Sequence, residues 1–252
     1  MKIIRKIFRT GAFILVTLFV LSILLTLLYR WINPPFTPLM FSRKITIGAP
    51  IEHDWVDIRD ISHYLIDCAV ASEDNHFLGH NGFDFGAIQK AIDEREQGRF
   101  RGASTISQQT AKNIFLWQGR SWFRKGLEVY FTFLIEIFWS KERIMEVYLN
   151  EIEMGKGIYG AEAAARRYFK KSAKNLSQHQ SALIVAALPN PLHRNPAKPT
   201  AYLTNRAQAI ASLSQKIGVI RFDRKSIDKA RERYRKQEAK RRAKSDENFL
   251  DF

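Results

Sequence analysis

The 252-residue sequence contains one cysteine, Cys68, so no disulfide can form within the chain. Cys68 lies in "ISHYLIDCAVAS", where Ile61, Leu65, Cys68 and Ala69 fall on one helical face, and it reads as a small core residue rather than a nucleophile. Histidines are few, six in all, and no HExxH motif occurs. His76 and His80, spaced i, i+4, are the one pair that could share a metal, and they lack a second ligand cluster, so no metal site is read. No repeat of 20 to 50 residues is present, which excludes solenoids and propellers. Acidic residues are outnumbered: 25 Asp and Glu against 40 Lys and Arg give a formal charge of +15. That imbalance predicts an anionic partner, whether nucleic acid, anionic lipid or a phosphorylated substrate. The hydrophobic fraction, 46%, and the length suit one sizeable domain with appendages.

The N-terminus narrows the choice of partner. "MKIIRKIFRT" is basic, and "GAFILVTLFVLSILLTLLY" then runs without a charge until Arg30. Such a run is long enough to cross a hydrocarbon core of ~30 Å as a helix. It ends in "YRWINPP", which offers no small-residue cleavage site, so an uncleaved signal anchor is expected. Positive charge before the span puts the N-terminus in the cytoplasm and everything after about Pro34 outside. Nucleic acid then drops out as a partner.

The expected organisation is a cytoplasmic basic segment (1–9), a membrane anchor (10–29), a linker (30–44), a domain (45–220) and a basic tail (221–252). "NPPFTP" reads as a stiff linker, and "RKITIGAPIEHDWVDI" as extended chain with a turn at Gly48-Ala49-Pro50. From Ile58 to about Ile217 the pattern is mostly helical. "FDFGAIQKAIDEREQG" is an amphipathic helix closed by Gly98, and "RFRGAS" a basic loop. "STISQQTAKNIFL" is a helix with Ser104 as N-cap. "RSWFRKGLEVYFTFLIEIFWSKERIMEVYLNEI" is one long helix or two joined near Ser140, and Ser177 with Gln180 forms a capping box. The Lys- and Arg-rich end reads as a solvated, partly helical tail, with a surface for anionic lipid headgroups as the sharper reading.

Four stretches carry chemistry. In "EDNHFLGHNG", Glu73, Phe77 and His80 would share one face if the segment is helical, and a carboxylate beside an aromatic ring suits a general base. In "GASTISQQTAKN", Thr105, Gln109 and Lys112 lie at i, i+4 and i+7 beside a helix start that favours anions. In "FRKGLEVYF", Arg124 and Glu128 are spaced i, i+4, with Lys125 adjacent, on a helix otherwise apolar almost all round. An Arg124–Glu128 structural pair is the bland reading of that cluster. "KERIMEVYLNEIEMGKGIYG" reads mostly as framework, with Ile144, Val147, Tyr148 and Ile152 as its core stripe.

Together these stretches resemble, in order and spacing, the four motifs of the family 51 glycosyltransferases: ED-x-x-F-x-x-H-x-G, G-x-ST-I-x-QQ-x-x-KN, RK-x-x-E and K-x-x-I-L-E-x-YLN. The resemblance covers about residues 45–200. It departs at Ala103, where the family usually has glycine, and at Met145, where it has leucine. "SIDK" at 226–229 matches a transpeptidase SxxK without SxN or KTG partners, so the short form lacking a transpeptidase is expected.

The resemblance implies a mainly α, lysozyme-like helical glycosyltransferase domain behind a single N-terminal transmembrane helix. It implies a peptidoglycan polymerase at the bacterial inner membrane, with the catalytic domain periplasmic and lipid II and the nascent glycan strand as substrates. Glu73 would be the catalytic base, and Glu128 a second catalytic carboxylate that orients nearby cations or helps bind a divalent ion. Lys112, Arg124 and Lys125 would neutralise the leaving pyrophosphate. Ser104, Thr105, Gln108, Gln109 and Asn113 would position donor sugar and phosphate, and Asp74, Phe77 and His80 would shape the pocket around Glu73. No cofactor is required on this reading, with room for help from Mg²⁺ or Mn²⁺, and other cell-wall synthesis or division proteins are candidate partners. The rivals are a lytic enzyme that cleaves glycan, which has no use for pyrophosphate-binding cations, and a membrane-anchored scaffold.

Overall fold

Local capping signals set most of the helix boundaries. The computed structural model describes residues 2–48, 50–98, 102–119 and 121–250, with side chains outside the description at 2, 47 and 244–250. The anticipated turn at Ala49 and half of the basic loop, residues 99–101, therefore lie outside the described residues. The elements in chain order are α1 (Lys2–Leu28), α2 (Pro38–Ile47), β1 (Glu52–His53), α3 (His63–Glu73), α4 (Phe85–Glu96), α5 (Ile106–Phe115), α6 (Trp122–Phe138) and α7 (Lys141–Glu151). They continue with β2 (Glu153–Gly155), β3 (Ile158–Tyr159), α8 (Ala161–Phe169), α9 (Gln178–Ala187), α10 (Ala201–Ile217) and α11 (Arg224–Leu250).

Ser140 caps α7 and separates it from α6, so the long apolar region is two helices. Ser177 and Gln180 form the anticipated capping box at α9. Gly98, at φ +76°, follows α4. Two boundaries differ from the sequence reading. Residues 38–47 are helical rather than linker and extended chain: Thr37 accepts the Met40 N–H and Pro38 supplies the first helical residue. The N-cap of α5 is Thr105, not Ser104. Thr105 Oγ1 accepts the Gln108 N–H, and Gln108 Oε1 takes the Thr105 N–H in return.

Two packing groups build the core. Helices α3, α9 and α10 pack against one another, and α5 packs on α6 and α7. Leu65, Cys68, Ile106, Ile135, Ile144, Leu149 and Ala186 are among the fully buried residues joining these groups. Burial pushes the Cys68 thiol up to about 11, which keeps it protonated and fits the core role. A small sheet of order β1-β3-β2 closes one end, with β1 parallel and β2 antiparallel to β3.

Helix α1 is the one described helix long and apolar enough to span a membrane, and it is docked rather than dangling. Ser22 Oγ and Tyr130 Oη are 2.8 Å apart, and Trp139 Nε1 donates to the Thr26 carbonyl at 2.8 Å. Arg143, on α7, donates to the Tyr29 and Ile32 carbonyls and to Asn33 Oδ1, capping the end of α1. Helix α6 keeps an apolar face open, with Trp122 92% and Phe123 72% exposed and Phe133 and Ile137 beyond them. An open apolar face of this kind marks a partner surface.

The basic end is a 27-residue helix, α11, packed against the domain from Ile227 to Arg241. The Tyr234 ring lies 5.5 Å from that of His76 and 5.9 Å from that of His80. A Cβ on Gly79 would come within 2.7 Å of Tyr234 Cβ, so this contact requires glycine. The tail is thus a docked element. Its apolar anchors, Ile227, Ala230 and Tyr234, are too sparse among the charges for compositional reading to mark them.

Candidate active site

The acidic pair divides its labour. Glu73 ends α3, and its side chain stays partly exposed. Glu73 Oε2 accepts from Gln109 Nε2 at 3.0 Å, and Oε1 accepts from Ser72 Oγ at 3.2 Å. Asp74 is buried, and its carboxylate sits 2.9 and 3.1 Å from His80 Nε2. Asp74 Oδ2 also accepts the Ile106 N–H at 3.0 Å, at the start of α5. Asp74 therefore ties the loop after Glu73 to the helix that carries Gln109 and Lys112. A buried carboxylate with this many donors is a fixed joint, because losing one donor leaves charge stranded.

The expected shared helical face of Glu73, Phe77 and His80 does not exist. Helix α3 stops at Glu73, and the chain turns through 74–82. Phe77 is fully buried with Lys141 Nζ 4.7 Å from its ring centre, and His80 is buried against Asp74. These side chains support the loop from behind, and neither lines the cavity that Gln109 and Lys112 face. His76 pairs separately with Asp84, at 2.7 Å, and Asp84 also caps α4 through the Ala87 N–H. Burial alone would raise the Asp84 carboxyl, but His76 and the Ala87 N–H bring it down to about 2. His76 is raised above its usual value, chiefly by the bond to Asp84.

Helix α5 likewise sorts its polar residues. Thr105 Oγ1 donates to the Gly82 carbonyl at 2.7 Å while capping α5, and Gln108 closes the box. Both are buried, whereas Ser104 is exposed. The opposite face presents Gln109, Lys112 and Asn113 to a cavity of about 520 Å³. Arg124 also lines it, together with Arg43, Trp117 and Glu153. Glu73 is not in the lining; its partner Gln109 is, which puts the carboxylate at the margin of the cavity.

The predicted Arg124–Glu128 pair is absent. Glu128 is buried and accepts instead from Lys125 Nζ at 2.5 Å. Arg124 is left with a buried Nε that no group among the described residues bonds. Lys112 has its pKa lowered first by burial, with Arg124 and Lys125 pushing the same way and Glu128 and Glu73 opposing. Lys112 and Arg124 thus form a cationic wall poised for an anion. The carboxylates nearest this wall are already engaged by cations, Glu128 by Lys125 and Glu153 by Arg43.

Sequence reading missed Arg43 and Glu153, which pair at 3.1 Å across the cavity wall. The Thr37-Pro38 helix start could have pointed to α2, and through it to Arg43. Nothing in the local sequence marks Glu153 apart from its neighbours. Beneath the site, Glu136 accepts from both Ser107 Oγ and Lys141 Nζ, the latter at 2.7 Å.

Comparison with known proteins gives a consistent result. The profile described as Transglycosylase matches residues 42–215. A protein of Bacteroides thetaiotaomicron named biosynthetic peptidoglycan transglycosylase is 51% identical over 241 residues, covering 93% of this chain and 97% of that one. Proteins of the same name from Rhodospirillum centenum and Caulobacter vibrioides are each 49% identical, each covering 88% of this chain and 96% of their own.

Proposed function

The chain belongs to the transglycosylase family, and from that premise we propose how its residues carry out the family's reaction. It is a peptidoglycan glycosyltransferase that polymerises glycan strands, with lipid II and the growing strand as substrates. Glu73 is the general base. It takes the proton of the acceptor's 4-hydroxyl as that oxygen attacks the anomeric carbon of the growing strand. The bond from that carbon to the pyrophosphate oxygen breaks, and polyprenyl pyrophosphate leaves with the electron pair. One displacement turns an α-linked donor into a β-1,4 product.

The observation that carries this reading is the separation of charge. A partly exposed carboxylate sits at the cavity margin, and an unpaired Arg124 and a half-buried Lys112 lie inside. The base must be near the acceptor hydroxyl, and the cations near the charge that develops on the leaving group. Glu128 holds Lys125 in this wall. Gln109 orients Glu73, and Asn113 faces the sugar. Asp74, Phe77, His80, Thr105 and Gln108 act behind the surface, holding the loop and the start of α5 in register. Lys112 and Arg124 supply the counter-charge without a resident metal. A lytic enzyme has no pyrophosphate for such a wall to neutralise.

Helix α1 anchors the chain in the inner membrane, with its basic N-terminus cytoplasmic and the catalytic domain periplasmic. The α1 contacts support this placement. Tyr130 meets Ser22 and Trp139 meets Thr26, so α6 descends toward its exposed Trp122 and Phe123 along the anchor.

The test is polymerisation of purified lipid II by the detergent-solubilised protein beside Glu73→Gln. Strands from wild type and none from the variant are expected, with thermal melting unchanged. Strands from both would remove Glu73 from the base role.

A further inference from the structure

A second cationic cavity lies behind the loop that follows Glu73. It measures about 410 Å³ and opens between the end of α10, the start of α11 and the segment 75–79. Lys216, Arg221, Lys229 and Arg233 line it, with Asn75 and His76 on the loop side. No carboxylate lines it, and among the described residues none of the four cations forms an ion pair. Three other cations of α11 are ion-paired, Arg224 with Asp228, Lys236 with Glu232 and Arg241 with Glu238. Four like charges left facing one cavity repel one another, so the arrangement is stabilised by an anionic occupant. The volume falls in the range of ligand sites.

The position of the cavity identifies the occupant. Asn75 is two residues from Glu73, so the two Cα atoms lie within about 8 Å of each other. An acceptor with its 4-hydroxyl at Glu73 carries its peptide stem on the adjoining sugar, well within reach of the cavity. A peptide stem ends in a carboxylate and bears others along its length. None of the lining residues belongs to α1, α2 or α6, the elements next to the anchor and its apolar flank. We propose that this cavity binds the carboxylates of the acceptor's peptide stem, and that α11 contributes substrate recognition from outside the segment matched by the family profile. The assignment rests on the polymerase reading above. Charge-assisted contacts to a carboxylate orient the stem and hold the acceptor sugar against Glu73.

The experiment measures initial rates on lipid II and on lipid II with its stem carboxylates amidated, using full-length wild type and Lys229→Gln/Arg233→Gln. For wild type, amidation should raise KM about 10-fold with kcat within about twofold, the scale expected for losing charge-assisted bonds. The double variant should show the higher KM with native lipid II and no further rise on amidation. Equal KM for the two substrates in wild type would overturn the assignment, whatever the variant does. Weaker binding of the variant to phosphatidylglycerol vesicles, with KM unchanged on both substrates, would overturn it in favour of a headgroup site. If wild type makes no strands from native lipid II, the polymerase reading fails and this assignment falls with it. Strands made with the same KM from both substrates sink the assignment alone.

Discussion

Replacing Lys141 with methionine tests how the site is held from beneath. The Lys141 and Glu136 side chains are 4% and 7% exposed and bonded at 2.7 Å. Glu136 reaches Ser107 on α5, and Lys141 lies over the Phe77 ring, so one ion pair joins three motif segments. Removing one partner of a buried pair costs about 3–5 kcal/mol, because the other charge stays buried and uncompensated. For a protein of this size, that corresponds to a fall of about 6–20 °C in Tm. Lys141→Met and Glu136→Gln should each produce such a fall in detergent. The double variant, with no charge left to strand, should recover at least half of the summed loss. Differential scanning fluorimetry on the four proteins of this cycle gives the coupling. Singles that melt within about 2 °C of wild type, or a double as unstable as the sum of the singles, would refute the account of this pair as a buried joint.

Other outcomes follow from the same geometry. Lys112→Met should cut kcat/KM on lipid II by about 100-fold, the usual cost of losing a group that stabilises developing charge, with Tm held. Asp74→Ala should lower both activity and Tm, separating it from Glu73→Gln, which should affect activity alone; circular dichroism melts beside turnover distinguish them. Tyr234→Ala should cost about 2 kcal/mol and reduce kcat, because the loop after Glu73 loses its backing; equal kcat would confine Tyr234 to stability. His76 keeps its proton to higher pH when folded, so its bond to Asp84 contributes fully below its usual 6.5 and fades as pH rises through the raised value. The Tm gap between wild type and His76→Gln should therefore be widest near pH 5.5 and narrow by pH 8; a constant gap would show that the charge on His76 contributes nothing.

Legibility in the sequence followed the range of the interactions. Helices specified locally were readable: Ser140 and Ser177 signal their starts by caps, and Gly98 signals a stop. At α5 the serine and threonine stand side by side, and only the return bond from Gln108 selects Thr105. Helix α2 was hidden by β-branched residues in "KITI", although Thr37 and Pro38 announced it. In the site, residue identities were legible and their roles less so. Asp74 and His80 read as shaping the pocket around Glu73, but the partners through which they hold the loop, Ile106 N–H and each other, arise from tertiary approach. Lys125 displaced Arg124 as the partner of Glu128, a choice between i, i+3 and i, i+4 that spacing cannot decide. The seat of Tyr234 over Gly79 joins positions more than 150 residues apart, beyond any local pattern.

The fork of Arg143 over the end of α1 has a mechanical consequence. A catalytic domain on a loose tether would explore a hemisphere above the bilayer, and each encounter would have to find the right height and tilt. Here those coordinates are set when the helix inserts. A substrate confined to the same plane by its lipid tail needs only lateral and rotational search, so encounter is two-dimensional. The product feels the same constraint in reverse. With the centre of reaction fixed in height, each added disaccharide displaces the strand, and the direction in which glycan leaves the membrane is imposed by the anchor.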